Sequence, residues 1–179
     1  NGVWLTTSNG LARLHLDLSA FDEQSGLRGT LVALARWNDT LYAGTTSGLF
    51  RLQQSATGGT PTFEPVAGIK ETVWALVSRP GALWIGAQSG LFSLSGKEVK
   101  QEAKAEVVYD LSFSPKNENV LYLATRTQGM RWVKGEKGWE KTGEVASSGQ
   151  EFRTVAEDAD GKRVPMHPAR AVPAGMQVK

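Results

Sequence analysis

Few residues in this chain are placed where they could do chemistry. One carboxylate stands inside an apolar run: Asp110, in "VVYDLSF" (107–113). The matching stretches "TLVALA" (30–35) and "TVWALV" (72–77) carry Ala33 and Ala75 instead. A carboxylate in such a strand needs hydrogen-bond partners or it costs stability. Asp110 either faces a central channel and contacts a ligand, or ties two strands together. The second is favoured, because buried polar groups are satisfied mostly within the protein. Glu157, Asp158, Asp160 and Gly161 faintly resemble a calcium loop, but they lack the ligand count and the downstream Glu of an EF-hand. Asp and Gly are also what a turn between two strands requires, so no metal site is assigned. The two histidines, His15 and His167, have no evident partners. There is no phosphate-binding Gly loop, no Gly-x-Ser-x-Gly elbow and no His-Glu-x-x-His. A glycosidase needs two positioned carboxylates, or a Tyr nucleophile with an Arg cluster for sialic acid, and no Arg triad recurs at equivalent positions. What remains is recognition without catalysis, and no cofactor is implied.

Composition bounds the rest. The chain has 179 residues, one domain's worth, with 40% hydrophobic residues and six Trp, enough for a packed core. Twenty Gly suit many tight turns. The net charge of +2, with acids and bases mixed, is not the clustered basic footprint of nucleic-acid binding. The lack of Cys excludes disulfides and thiolate metal sites and fits an oxidising compartment. No apolar run approaches the length of a transmembrane helix. Asn1–Trp4 reads as the end of a turn entering a strand, so we expect a piece of a longer protein, with any membrane attachment in other parts of it.

The elements that would position these residues repeat. "VWLTTSNGLARL" (3–14), "LYAGTTSGLFRL" (41–52) and "LWIGAQSGLFSL" (83–94) are versions of one phrase, with a weaker copy in "VLYLATRTQGMRWV" (120–133). Taking Gly10, Gly48, Gly90 and Gly129 as the turn glycines, the spacings are 38, 42 and 39 residues. Each unit opens with an apolar strand, the last being "EFRTVAE" (151–157), followed by a polar or Gly/Pro turn, an aromatic strand, the Thr/Ser-Gly turn, a short third strand and a variable fourth. Short strands bounded by turns predict antiparallel β structure. Four strands at a period near 40 predict the blades of a β-propeller. The fold class is therefore all-β: a β-propeller of four-stranded antiparallel blades, about four present, part of a larger propeller. The units are 1–27, 28–70, 71–105 and 106–149, with another beginning at 150–162. Residues 163–179, Pro-rich and basic, read as a disordered or non-native tail. Reading "EDADGK" into "NGVWLTTSNGL" restores the repeat, so the two ends can also be joined into a ring of four blades. The larger parent is favoured.

Alternation along the first strands puts Val32/Leu34, Trp74/Leu76 and Tyr109/Leu111 on one face, and Ala33/Ala35, Ala75 and Asp110/Ser112 on the other. A large face against the next blade's small face lets sheets interdigitate. The recurrent Trp4, Tyr42, Trp84 and Tyr122 read as filling between blades. Turns from every blade converge on one ring face, and Arg28, Thr46, Lys70, Glu71, Gln88 and Arg126 fall on that rim. With Asp110 they are the candidate ligand-binding residues, varied as a recognition surface would be. Solvated loop residues are the plainer reading for most of them.

The three close copies resemble the two-component regulator propeller repeat, and "VAEDADGK" resembles its first half. The resemblance covers residues 1–162; Ala124 departs from it, standing where the repeat has Gly. It implies the extracytoplasmic sensing region of a bacterial membrane receptor, with oligosaccharides as ligands in the best-known group. "WVKGEKGWEKTG" (132–143) also resembles a degenerate Asp-box, of which Gly138-Trp139 stand in place. That lesser resemblance implies sialidases, other glycosidases or photosystem II assembly factor-like scaffolds.

The expected function is a non-catalytic, periplasmic or extracellular ligand-sensing or interaction module. It would bind an oligosaccharide or other small ligand, a protein partner or a dimer mate on a propeller face, and no nucleic acid. The alternatives are a glycosidase or lyase on a propeller scaffold, and an Asp-box scaffold binding a protein through Arg28, Arg126 and Arg131.

Overall fold

A computed structural model describes residues 3–7, 10–14, 19–21, 23–54, 60–136, 138–146, 151–157 and 163–166. The described residues form five antiparallel sheets in chain order. The first has three strands, β1 (Val3–Thr7), β2 (Gly10–Leu14) and β3 (Ser19–Phe21). Three complete four-stranded blades follow. The first holds β4 (Leu31–Trp37), β5 (Thr40–Thr45), β6 (Gly48–Gln53) and β7 (Thr62–Pro65). The second holds β8 (Val73–Arg79), β9 (Ala82–Ala87), β10 (Gly90–Ser95) and β11 (Glu98–Lys104). The third holds β12 (Val108–Phe113), β13 (Val120–Thr125), β14 (Gln128–Gly135) and β15 (Gly138–Ala146). A two-stranded sheet, β16 (Thr154–Glu157) and β17 (Arg163–Met166), comes last.

Local chemistry sets the hairpins. Asn38 and Asp39 both have positive φ, 46° and 59°, the backbone of a two-residue turn whose twist suits a hairpin. At the matching corner of the second blade, Pro80-Gly81 turns with Gly81 at φ 85°. The charged stretch Glu98–Lys104 is an outer strand, braced by Lys100 and Ser93 on Glu102 at 2.9 and 2.7 Å.

The blades pack face to face. Leu34, Leu76, Leu111 and Val155 each join the core shared with the preceding sheet. Ala35, Ala75 and Val77 point towards the following one. Tyr42, Trp84 and Tyr122 are all under a tenth exposed and lie between successive sheets. Burying residues such as Leu49, Leu83, Ile85, Leu91 and Leu121 contributes roughly 1.5–3 kcal/mol each. Exposed pairs such as Arg51–Glu64 at 3.2 Å contribute about 0–1 kcal/mol. Apolar packing between sheets therefore holds the array together.

Close approach sets the spacing of the sheets. A Cβ on Gly44 would lie 2.6 Å from Val73 Cγ1, and one on Gly86 would lie 2.8 Å from the Val108 carbonyl oxygen. The third blade has Ala124 at this place, packed in a different core with Phe152.

Two expectations need correction. In each complete blade the pairing of first and second strands slips by one residue: Leu31 faces Thr45 but Ala33 faces Gly44, Val73 faces Ala87 but Ala75 faces Gly86, and Val108 faces Thr125 but Asp110 faces Ala124. Val32, Trp74 and Tyr109 are the extra residues of β-bulges. Simple alternation therefore does not place them with Leu34, Leu76 and Leu111 as filling between blades. Second, Gln128 and not Gly129 occupies the turn position of Gly48 and Gly90. Gly129 pairs with Ala124 as Leu49 pairs with Gly44, so the turn keeps its length. The Thr125 hydroxyl accepts from the Gln128 amide at 3.1 Å and donates to its carbonyl at 2.9 Å, as the Thr45 hydroxyl donates to the Gly48 carbonyl at 3.2 Å, while Gln128 turns without the positive φ of Gly48 and Gly90. Beyond Lys162, where the tail was expected to begin, Arg163–Met166 pairs with Thr154–Glu157. His15, His167, Asp158, Asp160 and Gly161 lie outside the described residues.

Gly86→Ala is expected to lower stability by about 1–3 kcal/mol through overpacking against Val108, while Ala124→Gly costs less, about 0.5–1 kcal/mol; urea unfolding of the two variants measures the contrast. Burial raises the pKa of the Tyr42 phenol, with Arg51 partly opposing. Its contribution is complete below about pH 10 and is lost as pH rises through the folded-state value. Unfolding free energy should fall as pH rises above about 10, and Tyr42→Phe should remove part of that slope.

Candidate functional site

The bulges open a site at one end of the array. Aligning the first strands puts Val32, Trp74, Tyr109 and Arg153 at one position, one per blade. Bulging lifts the first three out of the strict alternation, at the end where the second and third strands of each blade turn back. Val32 is 37% exposed, a lone apolar side chain reaching solvent. The other three form a stack. The Trp74 and Tyr109 rings meet edge to face at 5.2 Å, and the Arg153 guanidinium lies 4.0 Å over the Tyr109 ring.

Polar neighbours orient the stack. Trp74 Nε1 donates to Gln88 Oε1 at 3.3 Å, which fixes the indole. Tyr109 Oη donates to Glu151 Oε1 at 3.2 Å. Glu151 also pairs with Arg153 and lies 3.9 Å from Arg126 Nε. Trp74, Tyr109, Arg153, Gln88, Glu151 and Arg126 thus make a half-exposed mouth with two aromatic rings, two cations and one carboxylate.

Of the candidate residues read from the sequence, the structure brings Gln88 and Arg126 into this mouth. Glu71 and Thr46 hold backbone together. Glu71 Oε1 accepts from the Ser89 amide and hydroxyl at 3.2 and 2.6 Å. Thr46 Oγ1 accepts from the Thr30 amide at 3.0 Å, and its carbonyl accepts from Thr72 Oγ1 at 3.3 Å. Glu106 repeats the device, accepting from Thr127 Oγ1 at 3.2 Å. Arg28 and Lys70 are exposed at the entries to the first and second complete blades. Arg131 sits mid-strand opposite Tyr122 and donates to Thr142 Oγ1 at 2.8 Å, away from the turn end that carries Arg28 and Arg126.

Asp110 links two sheets. Its Oδ1 accepts from the Leu111 amide at 2.9 Å. Its Oδ2 accepts from Thr154 Oγ1 at 2.7 Å and from the Val155 amide at 3.0 Å. Both oxygens are engaged, so its geometry is that of a tie between β12 and β16. No group of three His, Cys, Asp or Glu able to hold a metal ion is found among the described residues.

Trp74, Tyr109 and Arg153 were missed because alternation alone makes the first two core residues. An aromatic at the second position of two successive first strands was the available signal. Asp110→Ala leaves Thr154 and Val155 without their acceptor, and is expected to cost about 1.5–3 kcal/mol. Faster amide exchange at Val155, with little change in the second complete blade, is the accompanying readout.

No protein-family model matches the sequence, and no curated protein matches it. Among solved structures, the extracellular domain of BT4673 from B. thetaiotaomicron is similar over 90% of this chain, with 20% identity and a TM-score of 0.70. A second structure of that domain matches at 19% identity and a TM-score of 0.67. The two are described as parts of a one component system and of a hybrid two component system. This chain spans 24% of the length of each. The WD40 β-propeller domain of Doa1 matches over 93% of this chain and 58% of its own length, with 16% identity and a TM-score of 0.63. At such identities the likeness is one of fold, and the fold of this chain is that of a β-propeller, with three complete antiparallel blades between two partial ones.

Proposed function

We propose that the chain is a ligand-sensing module without chemistry of its own, which binds at the mouth formed by Trp74, Tyr109 and Arg153. The observation that carries this reading is the stack itself. Trp74 and Tyr109 occupy the position that bulging frees from alternation, Arg153 stands at the aligned position of the last sheet, and Gln88 and Glu151 fix the two rings. Oriented aromatics with a few convergent polar groups are the usual make-up of a small-molecule site. The fold similarity to the extracellular domain of BT4673 supports a receptor's extracytoplasmic region, periplasmic or extracellular, in a bacterial signalling protein. The resemblance to the two-component regulator propeller repeat supports an oligosaccharide ligand. Binding would act by differential affinity for two arrangements of the propeller against a neighbouring domain or a dimer mate. A hydrolase reading has less support, because Glu151 and Asp110 are both engaged with protein donors.

The test is calorimetric titration with a panel of neutral and acidic oligosaccharides. Binding by the chain, with a loss of about tenfold or more in Trp74→Ala and in Arg153→Ala at unchanged melting temperature, is the expected result. Release of new reducing ends, or binding indifferent to both substitutions, overturns the proposal.

A further inference from the structure

A second cavity opens at the other end of the strands, between the second and third complete blades. It has a volume of about 400 Å³ and is entered past the Arg79–Ala82 corner and Asn119. Its apolar wall is a three-ring cluster. Trp84 meets Phe113 and Trp139 at 5.3 Å each, and Phe113 meets Trp139 at 5.9 Å, all near edge to face. Phe113 and Trp139 are only partly buried.

The neighbouring interface shows why this one stays open. Between the first and second complete blades, the Trp37 indole fills the corresponding corner. It is 5% exposed, packs on Tyr42 at 6.1 Å and donates to the Arg79 carbonyl at 3.2 Å. The second blade carries Arg79 where the first carries Trp37. The Arg79 guanidinium lies 4.8 Å over Phe113 and 4.0 Å from Glu118, whose side chain is 81% exposed. Such a long, solvated pair is weak and easily exchanged. Lys134 adds a second cation to the lining, and among the described residues it makes no ion pair.

We propose that this gap between blades is a binding pocket for a small carboxylate ligand with an apolar ring. The ring would lie against Trp84, Phe113 and Trp139. The carboxylate would take the place of Glu118 on Arg79, a group suited to gripping both carboxylate oxygens, with Lys134 beside it. The volume lies within the usual range for small-ligand sites. This pocket is separate from the mouth at Trp74 and Tyr109, and does not depend on it.

The experiment is an NMR titration of the whole chain with phenylacetate and with its neutral amide, following the indole resonances assigned by Trp→Phe substitution. Saturable shifts at Trp84 and Trp139, but not at Trp74, are expected for phenylacetate, with affinity for the amide weaker by about fivefold or more. Arg79→Ala should abolish the preference for the acid. Glu118→Ala changes an exposed side chain and should tighten phenylacetate binding about twofold or more by removing the competing carboxylate. No saturable shift at Trp84 or Trp139, equal affinity for acid and amide, or unchanged affinity in Glu118→Ala overturns the proposal.

Discussion

The array depends on one steric constraint: the first strand of a blade presses onto a residue of the preceding blade that has no side chain. Val73 meets Gly44 and Val108 meets Gly86 at distances that leave no room for a methyl group. Sheets that approach this closely bring their first strands side by side. Once they are side by side, the bulged position of each strand falls next to its neighbour's. The edge-to-face contact of Trp74 and Tyr109 follows from that spacing. At the third contact the small residue is Ala124, and Phe152 takes the place of the valines.

The two ends of the strands have different uses. At the turn end, side chains at the strand entries brace the turns: Glu71 holds Ser89, Glu106 holds Thr127 and Thr46 holds Thr30. These hydrogen bonds keep the turn backbone in place, so that Gln88 and Arg126 are presented in fixed positions. At the opposite end, packing sets the outcome. One corner is filled by the Trp37 indole and the next, holding Arg79, is not.

Much of this was legible in the sequence. The glycines Gly48 and Gly90, the recurrent Tyr42, Trp84 and Tyr122, and the near-constant period report local turn geometry and packing between blades, and both leave a residue-by-residue trace. A bulge leaves no such trace. It is a property of the pairing between two strands, and "TVWALV" reads equally well as regular alternation. Trp74 and Tyr109 were therefore placed in the core on a rule that fails where the register slips. Gln128 was hidden for a related reason. A glycine one residue further on offered itself as the turn residue, while Gln128 makes the turn without a positive φ. Asp110 stood out in the sequence, but its partners lie 44 and 45 residues ahead and only the fold brings them near.

The bulge also bears on how such a molecule could change over time. A residue released from the pairing ladder stands outside the apolar cores between blades. Valine, tryptophan and tyrosine all occupy the bulged position in a single chain while the blade geometry beneath them stays the same. That position can therefore be rewritten one blade at a time without redesigning the scaffold. A repeated fold of this kind separates the residues free to drift from those that are not.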